Sequence, residues 1–189
     1  DIDKLRSAVM KLIEHHDVLR ARYDDKDQYI MNIAEAQSLN NWVEHIDLTH
    51  LTTEQSQSEA ITSTCNVAQR SFDLKRGGLF KALLIELQDG QQRLALIAHH
   101  LVIDMVSWRI LVEDIVTVYE SKQLPLKGTS VKAWAEALEK YNVSDAERDF
   151  WKSQVESVRS LPIVLGRIAR KANSHVYALH VWHLSTVKN

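Results

Sequence analysis

The run His99-His100-Leu101-Val102-Ile103-Asp104-Met105-Val106-Ser107-Trp108 decides how the chain is read. Ahead of it, Arg93-Leu94-Ala95-Leu96-Ile97-Ala98 is short, apolar and bounded by a polar turn, which is the pattern of a buried strand. Behind it, from Trp108 to Glu120, the residues Ile110, Leu111, Ile115, Val118 and Tyr119 recur at helical spacing. Two adjacent histidines therefore stand where a buried strand gives out, and an aspartate lies in the short loop before a helix. Titratable groups are costly to bury unless they are paired or used. This strand end is the first place to look for chemistry.

Outward from it, Leu79 to Leu87 and Gln91 to His99 flank Asp89-Gly90, a hairpin signal that predicts two antiparallel strands. Further upstream, Ile2, Leu5, Val9, Leu12, Ile13, His16 and Leu19 are spaced three and four apart and predict an amphipathic helix. Leu19 to Tyr23 and Gln28 to Ile33, joined by Asp24-Asp25-Lys26-Asp27, predict a hairpin, and Trp42 to Leu48 a further strand. Thr52-x-x-Gln55 has capping-box spacing and opens a polar helix that runs to about Arg70, before Gly77-Gly78 breaks the pattern. Downstream, Ser130 is placed to cap a helix carrying Val131, Trp134 and Leu138. Ser144-x-x-Glu147 opens another with Phe150, Trp151, Val155 and Val158. Pro162 and Gly166 mark an irregular connection, and His175 to Leu184 alternates as a last strand whose sheet partner is expected to lie outside the chain. The expected fold is α/β of the α+β kind, a mixed and largely antiparallel sheet with flanking helices.

Composition narrows the function classes. A net charge of -2 with no basic block gives nucleic-acid binding no electrostatic support. No apolar run approaches the roughly 18 residues of a membrane span, and no signal-peptide pattern opens the chain. The single Cys65 excludes an internal disulfide and a zinc site built from several cysteines, so a reducing, cytoplasmic setting is expected. Asp1-Ile2-Asp3 leads straight into a helical pattern without an initiator methionine, as an excised segment would.

Side chains alternate along a strand, so His99 and His100 do not converge on one metal ion. Asp104 would join them only if the loop folded back, and no metal is expected there. One imidazole at a cleft mouth suits a general acid or base near neutral pH. Spacing alone favours a quieter alternative, a histidine satisfied by backbone and a loop aspartate capping the following helix.

Four stretches change that balance. His99-His100-x-x-x-Asp104 after a buried strand resembles the His-His-x-x-x-Asp signature of nonribosomal peptide synthetase condensation domains, whose fold is related to chloramphenicol acetyltransferase. Glu14 to Tyr23 resembles the family's Arg-His-x-x-Leu-Arg-Thr-x-Phe motif. Phe72-Asp73-Leu74 through Gly78-Leu79-Phe80-Lys81-Ala82 resembles its Phe-Asp-Leu…Gly-Pro-Leu-Phe-Arg-Ala segment, and Ser130 to Ala135 its Ser-Phe-x-x-Trp-Ala helix. The run Asp104-Met105-Val106-Ser107-Trp108-Arg109-Ile110-Leu111…Glu113-Asp114 resembles the epimerization branch, with Met105 where glycine is usual. A side chain there makes a positive φ difficult, so an altered loop is expected.

The resemblance implies that residues 1–189 are the N-terminal lobe of a two-lobe domain, with the second lobe absent. It implies an isomerase that inverts Cα of an aminoacyl or peptidyl thioester. A phosphopantetheine arm on a carrier protein would deliver the thioester, and no directly bound cofactor is implied. The partners implied are that carrier protein, the second lobe with a glutamate facing the histidine, and adjoining synthetase modules. The alternatives are amide formation by a condensation domain and an inactive carrier-docking lobe. His100 is the implied catalytic residue, and Asp104 is implied to pair with Arg20. His99 is read as packing or loop bonding, Ser107 as the helix cap, and Trp108 as core or tunnel wall. His15 and His16 are read as surface and core-edge residues.

Overall fold

The computed structural model describes residues 1–156 and 177–184. Two compact units are present. One is built on Asp1–Gly128 together with the last strand, and the other falls within Thr129–His175.

The centre of the first unit is the hairpin β4 (Phe80–Glu86) and β5 (Gln92–His99), paired antiparallel from Phe80 opposite Ala98 to Glu86 opposite Gln92. Both faces of this hairpin are covered. Phe80, Ala82, Leu84, Leu96 and Ala98 pack with helix α1 (Ile2–His15) and helix α4 (Met105–Tyr119). The alternate residues Leu83, Ile85, Ala95 and Ile97 pack with Cys65 and Ala68 of helix α3 (Glu54–Arg70). A strand buried on both sides must be apolar throughout, and that is why these segments read as continuous apolar runs. The exception is Lys81, which is buried and donates from Nζ to Glu44 Oε1 at 2.9 Å.

Strand β3 (Val43–Asp47) flanks β4, and strand β6 (Tyr177–Leu184) flanks β5, giving the order β3-β4-β5-β6. β6 runs antiparallel to β5, with Tyr177 opposite His99, so its sheet partner lies within the chain and not outside it as expected. β3 runs parallel to β4, because α3 and the turn after it carry the chain back to the starting edge. The early hairpin is present as β1 (Ala21–Tyr23) and β2 (Gln28–Ile30), in a sheet of its own.

Several helix boundaries differ from the sequence reading. α3 is capped by Thr53, whose side chain accepts from the Ser56 amide, one residue later than predicted. A short helix, α2 (Ile33–Leu39), was not expected. Asn32 and Glu35 bond reciprocally at its start, a capping box that the sequence contains. α1 ends at His15, and a turn of 3₁₀ helix covers Asp17–Arg20 where a continued α-helix was expected. In the second unit, helix α5 (Val131–Glu139) is capped by Ser130 as predicted, and helix α6 (Asp145–Glu156) starts after Ser144, which accepts from the Glu147 amide. Pro162 and Gly166 lie outside the described residues. Among those residues no helix is long and apolar enough to cross a membrane.

α1 is seated on α4 by Leu5, Val9, Leu12 and Ile13. Where α1 stops, His16 Nε2 meets Asp114 Oδ2 of α4 at 2.7 Å. Burial of His16 lowers its pKa below the ordinary 6.5, outweighing the pull of Asp114. His16 is thus a core-edge residue as expected, and His15, half-buried, lines a depression of the surface.

The turn joining α3 to β4 is fixed by two features. Asp73 Oδ1 accepts from the amides of Lys75 and Arg76, and Gly77 takes φ +85°. A Cβ on Gly77 would stand 2.7 Å from Met31 Cε. Gly90 has φ +71° but nothing within 4 Å of such an atom. Alanine at Gly90 therefore meets only the left-handed backbone penalty of about 1–2 kcal/mol. Gly77→Ala should lose more than Gly90→Ala in urea unfolding, because Met31 must also move. Equal losses at the two positions would show that the Met31 contact adds nothing.

Candidate functional site

β5 ends at His99, and the next five residues reach α4 through a loop anchored at both ends. The His99 amide donates to Leu79 O at 2.9 Å, and the Val102 amide donates to His99 O at 3.0 Å. The Leu101 amide donates to His99 Nδ1 at 3.2 Å, so this imidazole serves the loop as expected. Val102 and Ile103 are buried among the residues that pack α1 and α4 onto the sheet. Between these anchors only His100 and Leu101 are left exposed. His100 is thus held outward by the closure of its own loop, at the end of the most buried hairpin in the fold.

A contact unseen in the sequence secures the loop from outside. The Tyr23 hydroxyl, at the end of β1, donates to Leu101 O at 2.8 Å. Burial raises the Tyr23 pKa and keeps the phenol a donor. The only available signal was its place at the end of the early motif, where the family has an aromatic residue.

Asp104 is the N-cap of α4. Its Oδ1 accepts from the Ser107 amide at 2.7 Å and from the Ser107 hydroxyl at 2.6 Å, and those bonds lower its pKa. Ser107 is therefore not the cap but the third helical residue, which the cap holds. Met105 takes the first helical position. Among the described residues the non-glycine positions with positive φ are Asn40 and Ser121, so Met105 requires no left-handed backbone. The altered loop expected from that side chain is not needed. Trp108 is buried in the main core, 3% exposed.

Arg20 does not reach Asp104. Its guanidinium donates to Met31 O at 3.0 Å, to Glu14 O at 3.1 Å, to Ile13 O and to Asp17 Oδ1 at 2.7 Å. These partners are local, since Ile13 and Glu14 carry carbonyls left free where α1 ends, and Asp17 lies three residues back. Against the upward push of burial, hydrogen bonds from Lys127 and Arg20 hold the Asp17 carboxyl below its ordinary range. The ion pair expected from the resemblance is replaced by two separate arrangements, Arg20 with Asp17 and Asp104 with Ser107. The structure thus groups His99, His100, Asp104, Ser107 and Trp108 around one loop and the start of α4, and places Arg20 beneath α1.

Comparisons with known proteins agree on the family. The condensation-domain model matches residues 1–178. A linear gramicidin synthase polypeptide of Brevibacillus parabrevis is 37% identical over 173 residues, covering 86% of this chain and 2% of that protein. N-(5-amino-5-carboxypentanoyl)-L-cysteinyl-D-valine synthase of Penicillium rubens is 33% identical over 184 residues, 92% of this chain and 5% of that protein. The chain therefore spans only a few per cent of the length of these relatives. Among solved structures, the epimerization domain from the third module of tyrocidine synthetase B matches with a TM-score of 0.73 and 30% identity, over 85% of this chain and 38% of that one. A cyclization-docking bidomain of a nonribosomal peptide synthetase from Sorangium cellulosum matches with a TM-score of 0.67 and 25% identity, over 84% of this chain and 32% of that one.

The separation of Arg20 from Asp104 can be tested by unfolding experiments. Asp104→Asn should leave the melting midpoint unchanged, since asparagine caps as well as aspartate, whereas Asp104→Ala should lower it. Arg20→Met should cost about 1.5–3 kcal/mol through lost charged hydrogen bonds. The Arg20→Met and Asp104→Ala losses should add in the double variant. A double variant much less destabilised than the sum would restore the ion pair.

Proposed function

The chain belongs to the condensation-domain family of nonribosomal peptide synthetases, and on that premise we propose that it is the N-terminal lobe of an epimerization domain. Such a domain inverts Cα of an aminoacyl or peptidyl thioester from L to D. The observation that carries this reading is the run Asp104-x-Val106-Ser107-Trp108-Arg109-Ile110-Leu111…Glu113-Asp114, which has the form of the epimerization branch. The likeness to the tyrocidine synthetase epimerization domain supports it.

The α-proton of a thioester is only weakly acidic. A base must remove it while the enolate oxygen is stabilised, and a proton must then return to the opposite face of the same carbon. His100 is the group assigned to one face, as acid/base or as donor to the enolate oxygen. A glutamate from the second lobe is assigned to the other. One proton leaves Cα and one returns, so no further reactant is required.

The surroundings of His100 suit such a closure. Leu101, its neighbour in the chain, is exposed, and so are Met105, Val106 and Ile110 in the first turns of α4, apolar side chains of the kind that mark an interaction surface. The second lobe and the phosphopantetheine arm of a carrier protein are proposed to cover those side chains and to exclude water from the enolate. Asp104, Ser107 and Trp108 act as positioning residues. They fix the start of α4 and, with it, the loop that presents His100.

The test is α-proton exchange in D2O, using the two-lobe parent and an L-aminoacyl or L-peptidyl carrier thioester. Deuterium at Cα and a mixture of L and D acids after release are expected. His100→Ala should reduce exchange by at least about a hundredfold, the lower range for loss of a general acid or base. Undiminished exchange in that variant would remove His100 from catalysis. Amide formation without exchange when an acceptor is supplied would move the chain to the condensation branch. Carrier binding with neither reaction would make it a docking lobe.

A further inference from the structure

Away from His100, the end of α1 and the middle of α4 bring together three side chains of metal-ligand type. His15, His16 and Asp114 each offer one ligand atom, and these atoms all lie within 4.8 Å of one another. His16 Nε2 is 2.7 Å from Asp114 Oδ2, and the two imidazole rings meet edge-on with centroids 4.9 Å apart. All three residues are half-buried, with the His16 and Asp114 side chains 22% and 14% exposed. We propose that His15, His16 and Asp114 form a site for a divalent transition cation of the zinc class, which would clamp the end of α1 onto α4.

Two consecutive histidines can serve one ion here because the backbone changes between them. His15 is the last residue of α1, whereas His16 is extended, with φ -95° and ψ 95°. The same dipeptide within a strand would send its rings to opposite faces. Asp114 arrives from a different helix, so the cluster is made by tertiary packing and not by local sequence. Two imidazole nitrogens and a carboxylate suit zinc, cobalt or nickel better than a hard cation such as magnesium or calcium. Bonds of about 2.0–2.1 Å imply ligand atoms roughly 3.3 Å apart in a tetrahedral shell. His16 Nε2 and Asp114 Oδ2 stand closer than that, at 2.7 Å, and every pair of ligand atoms is within 4.8 Å, so binding requires the His16–Asp114 pair to open slightly.

His15 lines a surface depression together with Lys11, Glu14, Val118, Lys122 and Lys127. Water would complete the shell from there. Lys127 is the main opposing charge. Its ammonium is already engaged by Asp17 Oδ1 at 2.6 Å and by Glu14 O at 3.1 Å. The site is separate from the loop at His99 and His100, where no metal is expected, and a cation in it would act on helix packing and not on the thioester.

The test is titration of the purified chain with Co²⁺ and Zn²⁺ as free ions. One equivalent of Co²⁺ should give visible ligand-field absorption that Zn²⁺ displaces. Zn²⁺ should also raise the melting temperature of the wild-type chain. His15→Ala and Asp114→Asn should each weaken binding by about tenfold or more, on the scale seen when even supporting groups of metal sites are lost. Asp114→Asn keeps an acceptor for His16, and circular dichroism should confirm that each variant is folded. His100→Ala should leave binding unchanged. Absence of saturable Co²⁺ binding, or equal binding in the His15→Ala and Asp114→Asn variants, would overturn the site.

Discussion

Burial of the β4–β5 hairpin on both faces is the constraint from which the rest of the fold follows. Each fully buried aliphatic or aromatic side chain contributes about 1.5–3 kcal/mol, and Phe80, Leu83, Ile85, Leu96 and Ile97 are all buried to 1% exposure or less. Helices must therefore lie on both sides of the hairpin, α1 and α4 on one and α3 on the other. Polar groups are tolerated only where they are paired, as Lys81 is with Glu44, or where the strands end. His99 and His100 stand at such an end. Their position is a consequence of how far the apolar ladder extends.

The same constraint explains why Arg20 and Asp104 do not meet. A buried guanidinium takes the acceptors that cost least to bring to it, and the open carbonyls of Ile13 and Glu14 at the end of α1 lie only seven and six residues back. Asp104 faces the opposite problem. It precedes a helix whose first amides have no acceptor, and its carboxylate supplies one. With each charge satisfied locally, the loop carrying His100 takes its position from His99, Tyr23, Val102 and Ile103. The Tyr23 hydroxyl, the bonds made by His99 and the burial of Val102 and Ile103 hold it, and no long-range ion pair is required.

How much of this was legible in the sequence follows from which signals are local. The β4–β5 hairpin was, because Asp89-Gly90 and two apolar runs admit few alternatives. The cap at Ser130 was also legible, and so was the buried Trp108. Strand direction was not: Trp42 to Leu48 alternates identically whether it pairs parallel or antiparallel, and only the path through α3 decides. α2 escaped because seven residues with Ala36 as the one buried member give too little periodicity, although Asn32 and Glu35 supplied its cap. α4 was started three residues late because Met105 and Val106 are exposed, which masks helical spacing at its first turn. The pairing of His16 with Asp114 joins residues 98 apart in sequence and left no local trace.

α4 is the element that relates these findings to one another. Trp108, Leu111, Ile115 and Val118 form the stripe that it buries, three or four residues apart, and this stripe fixes the rotation of the helix about its axis. That rotation turns Met105, Val106, Arg109 and Ile110 outward and Asp114 toward the end of α1. The cap at Asp104 and the pairing at Asp114 are ten residues apart, or about 15 Å along the axis. A side chain at position 105 is compatible with all of this because the residue sits at the first helical position, where φ is negative and the surroundings are open. The glycine usual there in the family is therefore dispensable for the backbone. What methionine adds is a flexible apolar side chain, 78% exposed, at the start of α4.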